Sequence, residues 1–448
     1  DISLGVAPRK IVMLSKDSSL DSWLAHISSV HPREIDLGLD RISKVAARLL
    51  PARPGKFVVT VAGTNGKGSN VAAMEAMLIA NKFSTGAFTS PHISRFNERI
   101  RLNGQDVSDE VLISGLLAIE SCRQGESLSY FEYSTLLALL IFAEVEVDVA
   151  ILEVGLGGRL DAVNLIDPDV AVITSISIDH EDWLGSDLDG IAAEKAGIMR
   201  ENVPTVCCDE FPSKSINEKA EAISSRLYVM NQHYSMQAIE RDQAWMWSGL
   251  NVSNVPIECG PIANKSIHFS NLASAMQALA LLPLDIDWQL AAKALAQLHL
   301  AGRFELRRDR KSGCPVIFDV AHNPAAATLL AANLEGLQAG HEAYGTIAVV
   351  LAVMADKDVE EMVSSLESCS DFWYIAQVDE ARSMPVSELN ERLKNRAFFQ
   401  QEKTQLECFE SVSEAYEKAC ELNPERGLVV VSGSFFTVAS VRDKSDAL

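Results

Sequence analysis

The sequence predicts an α/β protein in two parts: a parallel sheet built around a phosphate-binding loop, then a smaller Rossmann-like α/β unit. Three observations predict this. The 448 residues exceed what one ordinary core organises, and 48% of them are apolar, enough for large buried sheets. Strand-like runs alternate with helical patterns, the signature of a parallel sheet wrapped by helices. The apolar run Val58–Ala62 stops at a glycine-rich polar loop, and a helical stretch, Val71–Ala80, follows.

Taken in order, Phe57–Ala62, Ser84–Thr89, Val147–Val154, Val170–Ser175 and Val203–Cys208 read as strands, each ending where polar, chemistry-bearing residues begin. In such sheets ligands bind beyond the carboxyl ends of the strands. Thr135–Ala143 is the most apolar patch, but Glu144, Glu146 and Asp148 follow too closely for a membrane span, so it reads as a buried helix. Trp245–Ile267 lacks helical periodicity and predicts a hairpin or small antiparallel sheet. Asn271–Leu282 and Trp288–Leu298 predict a helix pair. The pattern resets around Gln297–Arg303. Beyond it Pro315–Val320, Thr346–Met354, Phe372–Val378 and Leu428–Ser434 read as strands alternating with helices. Domains are therefore expected at 1–297 and 298–448, with a cleft between them.

The formal net charge is −22, from 61 acidic against 39 basic residues. Such a surface repels nucleic acid and anionic membranes and disfavours self-association, which predicts a monomer. Eight cysteines without a Cys-x-x-Cys pair, and no secretory signal, predict free thiols and a cytoplasmic protein. An anionic ligand would need a local cation cluster, for which Lys67, Arg99, Arg101, Arg159, Lys195 and Arg303 are candidates.

The loop Gly63-Thr64-Asn65-Gly66-Lys67-Gly68-Ser69 carries the strongest chemical signal. Unpaired amides at a helix start, with the positive end of its dipole, make an anion site. Glycines let the backbone approach phosphates, Lys67 reaches the outer ones, and Ser69 is placed near a metal. Val61 and Gly68 stand where the usual P-loop has Gly and Ser/Thr, so this is a variant spelling.

Further along, Glu153 ends an apolar strand before a glycine-rich loop, which suits a hard oxygen ligand for Mg²⁺ or a cap for the next turn. Ser90 before Pro91 is a ligand or a turn former. His180 follows a strand end and is a metal ligand or a hydrogen-bonded structural residue. Lys195 lies beside Glu194 on a helix, ordinarily a solvated pair. Asp319-Val320-Ala321-His322-Asn323-Pro324 follows a strand and opens a helix at Pro324, a place for a ligand, with Asn323 a natural cap.

These segments, with Thr89-Ser90-Pro91-His92, Glu153 to Ala162, Glu194-Lys195-Ala196-Gly197-Ile198 and Ala301-Gly302-Arg303-Phe304-Glu305, resemble the Mur ligase superfamily in its folate branch. The resemblance runs from about Ile35 to about Val441 and keeps one order. It implies a Mur-ligase-like central domain and an ATP-dependent ligase. Such an enzyme joins L-glutamate to dihydropteroate, and to reduced folates, through an acyl phosphate. It implies ATP contacts from Gly63, Thr64, Asn65, Gly66, Lys67, Gly68 and Ser69, with Asn271 near the adenine, Arg303, and Asp319 at the ribose. Two Mg²⁺ ions are implied, held by Ser90 and Glu153 and by His180. Lys195 would be carbamylated by CO₂, and His322 would orient the glutamate. The implied catalytic set is thus Lys67, Glu153, His180, Lys195 and His322.

Tyr130-Phe131-Glu132 and Asp161-Ala162 match the branch's pterin region, so Phe131, Asp161 and Ala162 are candidates for the folate. Phe131 as a core aromatic, and Asp161 as a cap, would look the same in sequence. Phe436 and Ala352 depart from the family, which often has histidine and glycine there. Three further readings stand beside the bifunctional one: a ligase for folylpolyglutamates alone, a cell-wall Mur ligase, and a nucleotide switch without ligase chemistry. The Thr89–His92 loop and Tyr130-Phe131-Glu132 count against the second, and Glu153, His180 and Lys195 together count against the third.

Overall fold

The computed structural model describes residues 14–31, 36–239, 244–264, 266–338, 344–401, 405–422 and 427–447. Eight strands form the first sheet: β1 (Phe57–Ala62), β2 (Thr85–Phe88), β3 (Ile100–Leu102), β4 (Gln105–Asp106), β5 (Val149–Glu153), β6 (Val170–Ile173), β7 (Thr205–Cys207) and β8 (Leu227–Val229). Their order is β4-β3-β2-β5-β1-β6-β7-β8, parallel from β2 to β8 and antiparallel at β3 and β4. Val61 lies opposite Glu153 on one side and Val172 on the other, so the carboxyl ends of β1, β5 and β6 finish together.

The β-branched run of β1 is buried on both faces, as a central parallel strand should be. Val58 and Ala62 join one core cluster, and Val59 and Val61 join the other. The helix Tyr130–Val145 fills the first with Leu136, Leu137, Leu140 and Phe142, confirming the buried helix expected there. The helix Lys67–Ala80 packs Val71, Met74 and Leu78 into the second, together with Leu272 and Met276 of the helix Phe269–Ala280.

A three-stranded antiparallel sheet follows, β9 (Ser235–Ile239), β10 (Ala244–Leu250) and β11 (Pro256–Ile262), in the order β11-β10-β9. It docks through Trp247, which is fully buried and stacks on Trp288 with ring centroids 5.1 Å apart. The expected helix pair is present as Phe269–Ala280 and Trp288–Ala296.

The remaining strands are β12 (Glu305–Asp309), β13 (Pro315–Phe318), β14 (Thr346–Leu351), β15 (Phe372–Ile375), β16 (Gln405–Cys408), β17 (Gly427–Ser432) and β18 (Ser445–Ala447). They form a second large sheet, β16-β15-β14-β17-β13-β12-β18, in which only β12 runs against its neighbours β13 and β18. The sequence reading found β13, β14, β15 and β17 but missed β12, β16 and β18. These lie toward the sheet margins, and their half-exposed, charged sequences carry no long apolar run. Among the described residues no helix is long and apolar enough to cross a membrane.

Candidate active site

A cavity of about 460 Å³ opens beyond the carboxyl ends of β1, β5 and β6, and residues from the β12–β18 half form its opposite wall. It gathers Gly63 to Ser69, Ser90, Glu153, His180, Lys195 and Asn271 from one side, and Arg303, Asp319 and His322 from the other. Phe131, Asp161 and Ala162 are not among the residues that line it.

The loop has the shape its glycines suggest. Gly66 adopts φ +88° immediately before the helix Lys67–Ala80, and a Cβ there would sit 2.2 Å from Asn271 Oδ1. Only glycine meets both demands. Lys67 Nζ donates to the carbonyls of Gly63 and Thr64, each at 3.1 Å, which holds the ammonium over the loop. Asn271 braces the same turn: its Oδ1 accepts from Asn70 Nδ2 at 3.1 Å, and Asn70 Oδ1 accepts from Ser274 at 2.6 Å.

Glu153 ends β5, is 5% exposed, and accepts from the Ser90 amide at 3.2 Å. Burial pushes its carboxyl above the usual range, with the charges of Lys67, Arg303 and Arg101 opposing. A buried carboxylate facing three cations is suited to sharing a divalent ion. The glycine-rich segment after it is held by Asp161. One Asp161 oxygen accepts from the Gly155 and Leu156 amides (3.1 and 2.9 Å), and the other accepts from Val163 (2.9 Å). Its carboxylate therefore serves as an internal brace and as the cap of the short helix Ala162–Leu165. Burial pushes its carboxyl up to about 6, against the pull of those amides. Phe131 rests on the same segment, so closely that a Cβ on Gly155 would fall 2.5 Å from its ring.

His180 has φ +54° and donates its amide to Asp179 Oδ1 at 2.8 Å. Burial pushes its imidazole down to about 4, with Lys357 and Lys67 adding to the effect and Asp179 opposing it. The ring is thus neutral, the form that ligates a metal.

Asp179 turned out to be the hub between the two halves. Lys357 Nζ lies 2.6 Å from it, Asn323 Nδ2 donates at 3.0 Å, and His322 Nε2 is 3.3 Å away. Burial works to raise its carboxyl. The hydrogen bond and charge of His322, with the charge of Lys357, outweigh that and hold it well below the carboxylate range. Asn323 also caps the helix Pro324–Gln338 through Ala326 N (2.9 Å), as expected of it. His322 Nδ1 donates to the Val320 carbonyl at 2.8 Å, which fixes the ring.

Lys195 ends the helix Leu188–Lys195 and is 3% exposed. The solvated pair with Glu194 is not formed, because Glu194 pairs with Arg159 at 2.8 Å. Among the described residues the Lys195 ammonium makes no ion pair. Burial, then the charge of Lys67, pushes it down to about 7. Across the cleft the Arg303 guanidinium lies 5.1 Å from the centroid of Phe435. Asp319 accepts from the amides of Phe304 and Ala321, both at 2.9 Å. Phe436, one of the family departures, lines the cavity beside them.

Among the described residues no three His, Cys, Asp or Glu side chains stand close enough to hold a metal by themselves. Magnesium does not require that, since it takes one or two carboxylates and completes its shell with water and phosphate oxygens. Ser90, Glu153 and neutral His180 around one cavity fit that mode.

Residues 61–243 match the Mur ligase middle domain, and residues 302–435 match the Mur ligase glutamate ligase domain. The chain is 37% identical over 430 residues to the dihydrofolate synthase/folylpolyglutamate synthase of Escherichia coli (strain K12), covering 96% of each. It is 36% identical to the protein of the same name from Haemophilus influenzae, covering 96% of this chain and 98% of that one. Among solved structures, E. coli FolC in complex with DHPP and ADP superposes with a TM-score of 0.86 at 36% identity, over 96% of this chain and 98% of that one. The bifunctional folylpolyglutamate synthase/dihydrofolate synthase of Yersinia pestis, complexed with AMPPNP and Mn ion, gives 0.85 at 34% identity over the same shares.

Proposed function

Because the chain belongs to the Mur ligases, in the dihydrofolate synthase/folylpolyglutamate synthase branch, we infer that its cleft joins L-glutamate to dihydropteroate and to reduced folates. It is an ATP-dependent ligase that works with a divalent metal. The observation that carries the reading is the gathering of Lys67, Glu153, His180 and Lys195 at the strand ends, opposite Arg303, Asp319 and His322, in one cavity.

The chemistry needs little beyond position and charge. Lys67 and the first amides of the helix Lys67–Ala80 take the phosphates. Asn271 and Asp319 hold the base and ribose, and Arg303 reaches in from the far wall. Magnesium, held by Ser90 and Glu153 and by His180, supplies charge neutralisation to the phosphates. The acceptor's carboxylate attacks the γ-phosphorus, and ADP leaves. The free amine of glutamate, oriented by His322, attacks the acyl phosphate, and phosphate departs with the amide formed. Lys195 loses its ammonium proton readily at neutral pH. The neutral amine then adds to CO₂, forming the N–C bond and releasing a second proton to leave a carbamate anion. The resulting anion would support the metal on the His180 side. Phe131 is the pterin platform, and Asp161 and Ala162 shape the segment it rests on.

The division at about residue 297 is supported by one large sheet falling within 57–229 and the other within 305–447. The net charge of −22 supports a monomer that binds neither nucleic acid nor anionic membrane. The need for ATP supports a cytoplasmic location. The test is to incubate the protein with Mg·ATP, L-glutamate and dihydropteroate, and to follow phosphate. Release should require all three, and tetrahydrofolate should replace dihydropteroate. Release with the reduced folate alone would restrict the activity to polyglutamate synthesis. Release with neither would overturn the reading.

A further inference from the structure

Among the described residues the buried guanidinium of Arg99, near the cleft, makes no ion pair. Arg99 ends the short helix Phe96–Arg99, and its carbonyl accepts from the Thr89 amide at 2.9 Å, which ties it to the Ser90 loop. The residue is 9% exposed. Its guanidinium lies 5.8 Å from the centroid of Phe96 and 5.5 Å from that of Tyr130. Nε donates to His92 Nδ1 at 2.8 Å, and the two terminal nitrogens donate to no group among the described residues.

The nearby acids are already committed. Glu98 accepts from the amides of Ile93, Ser94 and Arg95, all within 2.8 Å. Glu75 pairs with Arg101 at 2.8 Å. Glu153 accepts from Ser90 and makes no ion pair with Arg99 among the described residues. His92 offers no negative charge, and burial, then Arg99 itself, pushes it down to about 4. A cation buried without a counter-ion is costly unless a ligand supplies one.

We propose that Arg99 seats the carboxylate of the aryl-acid acceptor, with the perpendicular rings of Phe96 and Tyr130 (centroids 5.8 Å apart, 87°) as a collar for its aromatic ring. A guanidinium fork matches a carboxylate in shape, and aromatic walls favour an aryl acid over an aliphatic one. Arg99 and Tyr130 do not line the ATP cavity, whereas Ser90 and Glu153 do, so this seat adjoins the phosphates without belonging to the nucleotide. Tyr130 and Phe131 both lie in the first turn of the helix Tyr130–Val145, so the seat and the platform hang from one element. The inference rests on the reading that the acceptor is a pteroate.

The test compares dihydropteroate with its carboxamide, the neutral isostere, by calorimetric titration in the presence of Mg·ADP. The parent should prefer the acid. Arg99→Met should lose about 10- to 100-fold in affinity for the acid and nothing for the amide or ADP. Arg99→Lys should lose less than Arg99→Met, because it keeps the charge without the fork. Equal losses for acid and amide would make Arg99 structural and overturn the inference alone. If Arg99→Met does not fold, the parent decides, and equal binding of acid and amide by the parent overturns the inference. A parent that binds neither would overturn the acceptor reading as well.

Discussion

Asn65 and Asn323 exchange two hydrogen bonds across the cleft, each Nδ2 donating to the other's Oδ1 at 3.1 Å. One residue belongs to the phosphate loop and the other opens the helix Pro324–Gln338, so the pair ties the loop to the opposite half. Asn323→Ser keeps a cap for the helix but cannot reach across. It also loses the bond to Asp179, so we expect KM for ATP to rise about tenfold or more together with a lowered melting temperature, the scale of several buried hydrogen bonds lost. Unchanged KM in a stable variant would reduce the pair to packing.

Lys67→Ala should abolish most turnover and leave the fold intact. Among the described residues its ammonium hydrogen-bonds to the loop carbonyls of Gly63 and Thr64 at the cavity wall, and it belongs to no core cluster. Removing a preorganised donor at developing charge typically costs about 100- to 1,000-fold in rate. Near-normal kcat at saturating ATP would contradict its role.

Glu153→Gln is almost isosteric, so packing at the end of β5 should survive. The anionic ligand is lost, and activity should fall about 100-fold without recovery in excess magnesium. Superimposable magnesium titrations of variant and parent would make the residue structural.

Lys195 should carry a carbamate in active protein. An amine adds to CO₂ only when unprotonated, and this one loses its proton near pH 7 rather than at the ordinary 10.5. Carbon-13 NMR with labelled bicarbonate should therefore show a single protein carbamate that grows as pH rises through about 7. Full activity in rigorously CO₂-free buffer, with no such signal, would rule it out.

Asp161→Ala strands three backbone donors in a buried segment. We expect a loss of about 3 kcal/mol in stability and similar falls in kcat/KM for dihydropteroate and for a reduced folate, because the whole segment beneath Phe131 loosens. A loss confined to dihydropteroate, with the melting point kept, would restore a direct pterin contact.

The strands that carry the loop and Glu153 were legible because they are buried on both faces and read as apolar, β-branched runs ending at glycines. The loop itself was legible from the order of apolar run, glycine-rich polar loop and helical stretch, despite its variant spelling. The hub at Asp179 was not. Lys357 lies 178 positions away from it, and Asn65 and Asn323 are separated by 258, so no local period records these contacts. The solitude of Arg99 was equally hidden, because it depends on where Glu98, Glu75 and Glu153 direct their oxygens. Asp161 shows the opposite limit. Its position beside a glycine-rich turn was apparent, but a carboxylate that braces amides and one that meets a ligand have the same spelling.

The edge strand β18 pairs with β12 from Arg307–Ala447 to Asp309–Ser445, and Arg307 grips the Ser445 hydroxyl and carbonyl at 2.8 and 2.6 Å. A chain shortened to end before Ser445 would leave β12 as an open edge, with a row of unsatisfied amides and carbonyls. Such edges recruit strands from other molecules. Trimming those few residues should therefore promote aggregation that rises with concentration, although the catalytic cleft itself is untouched.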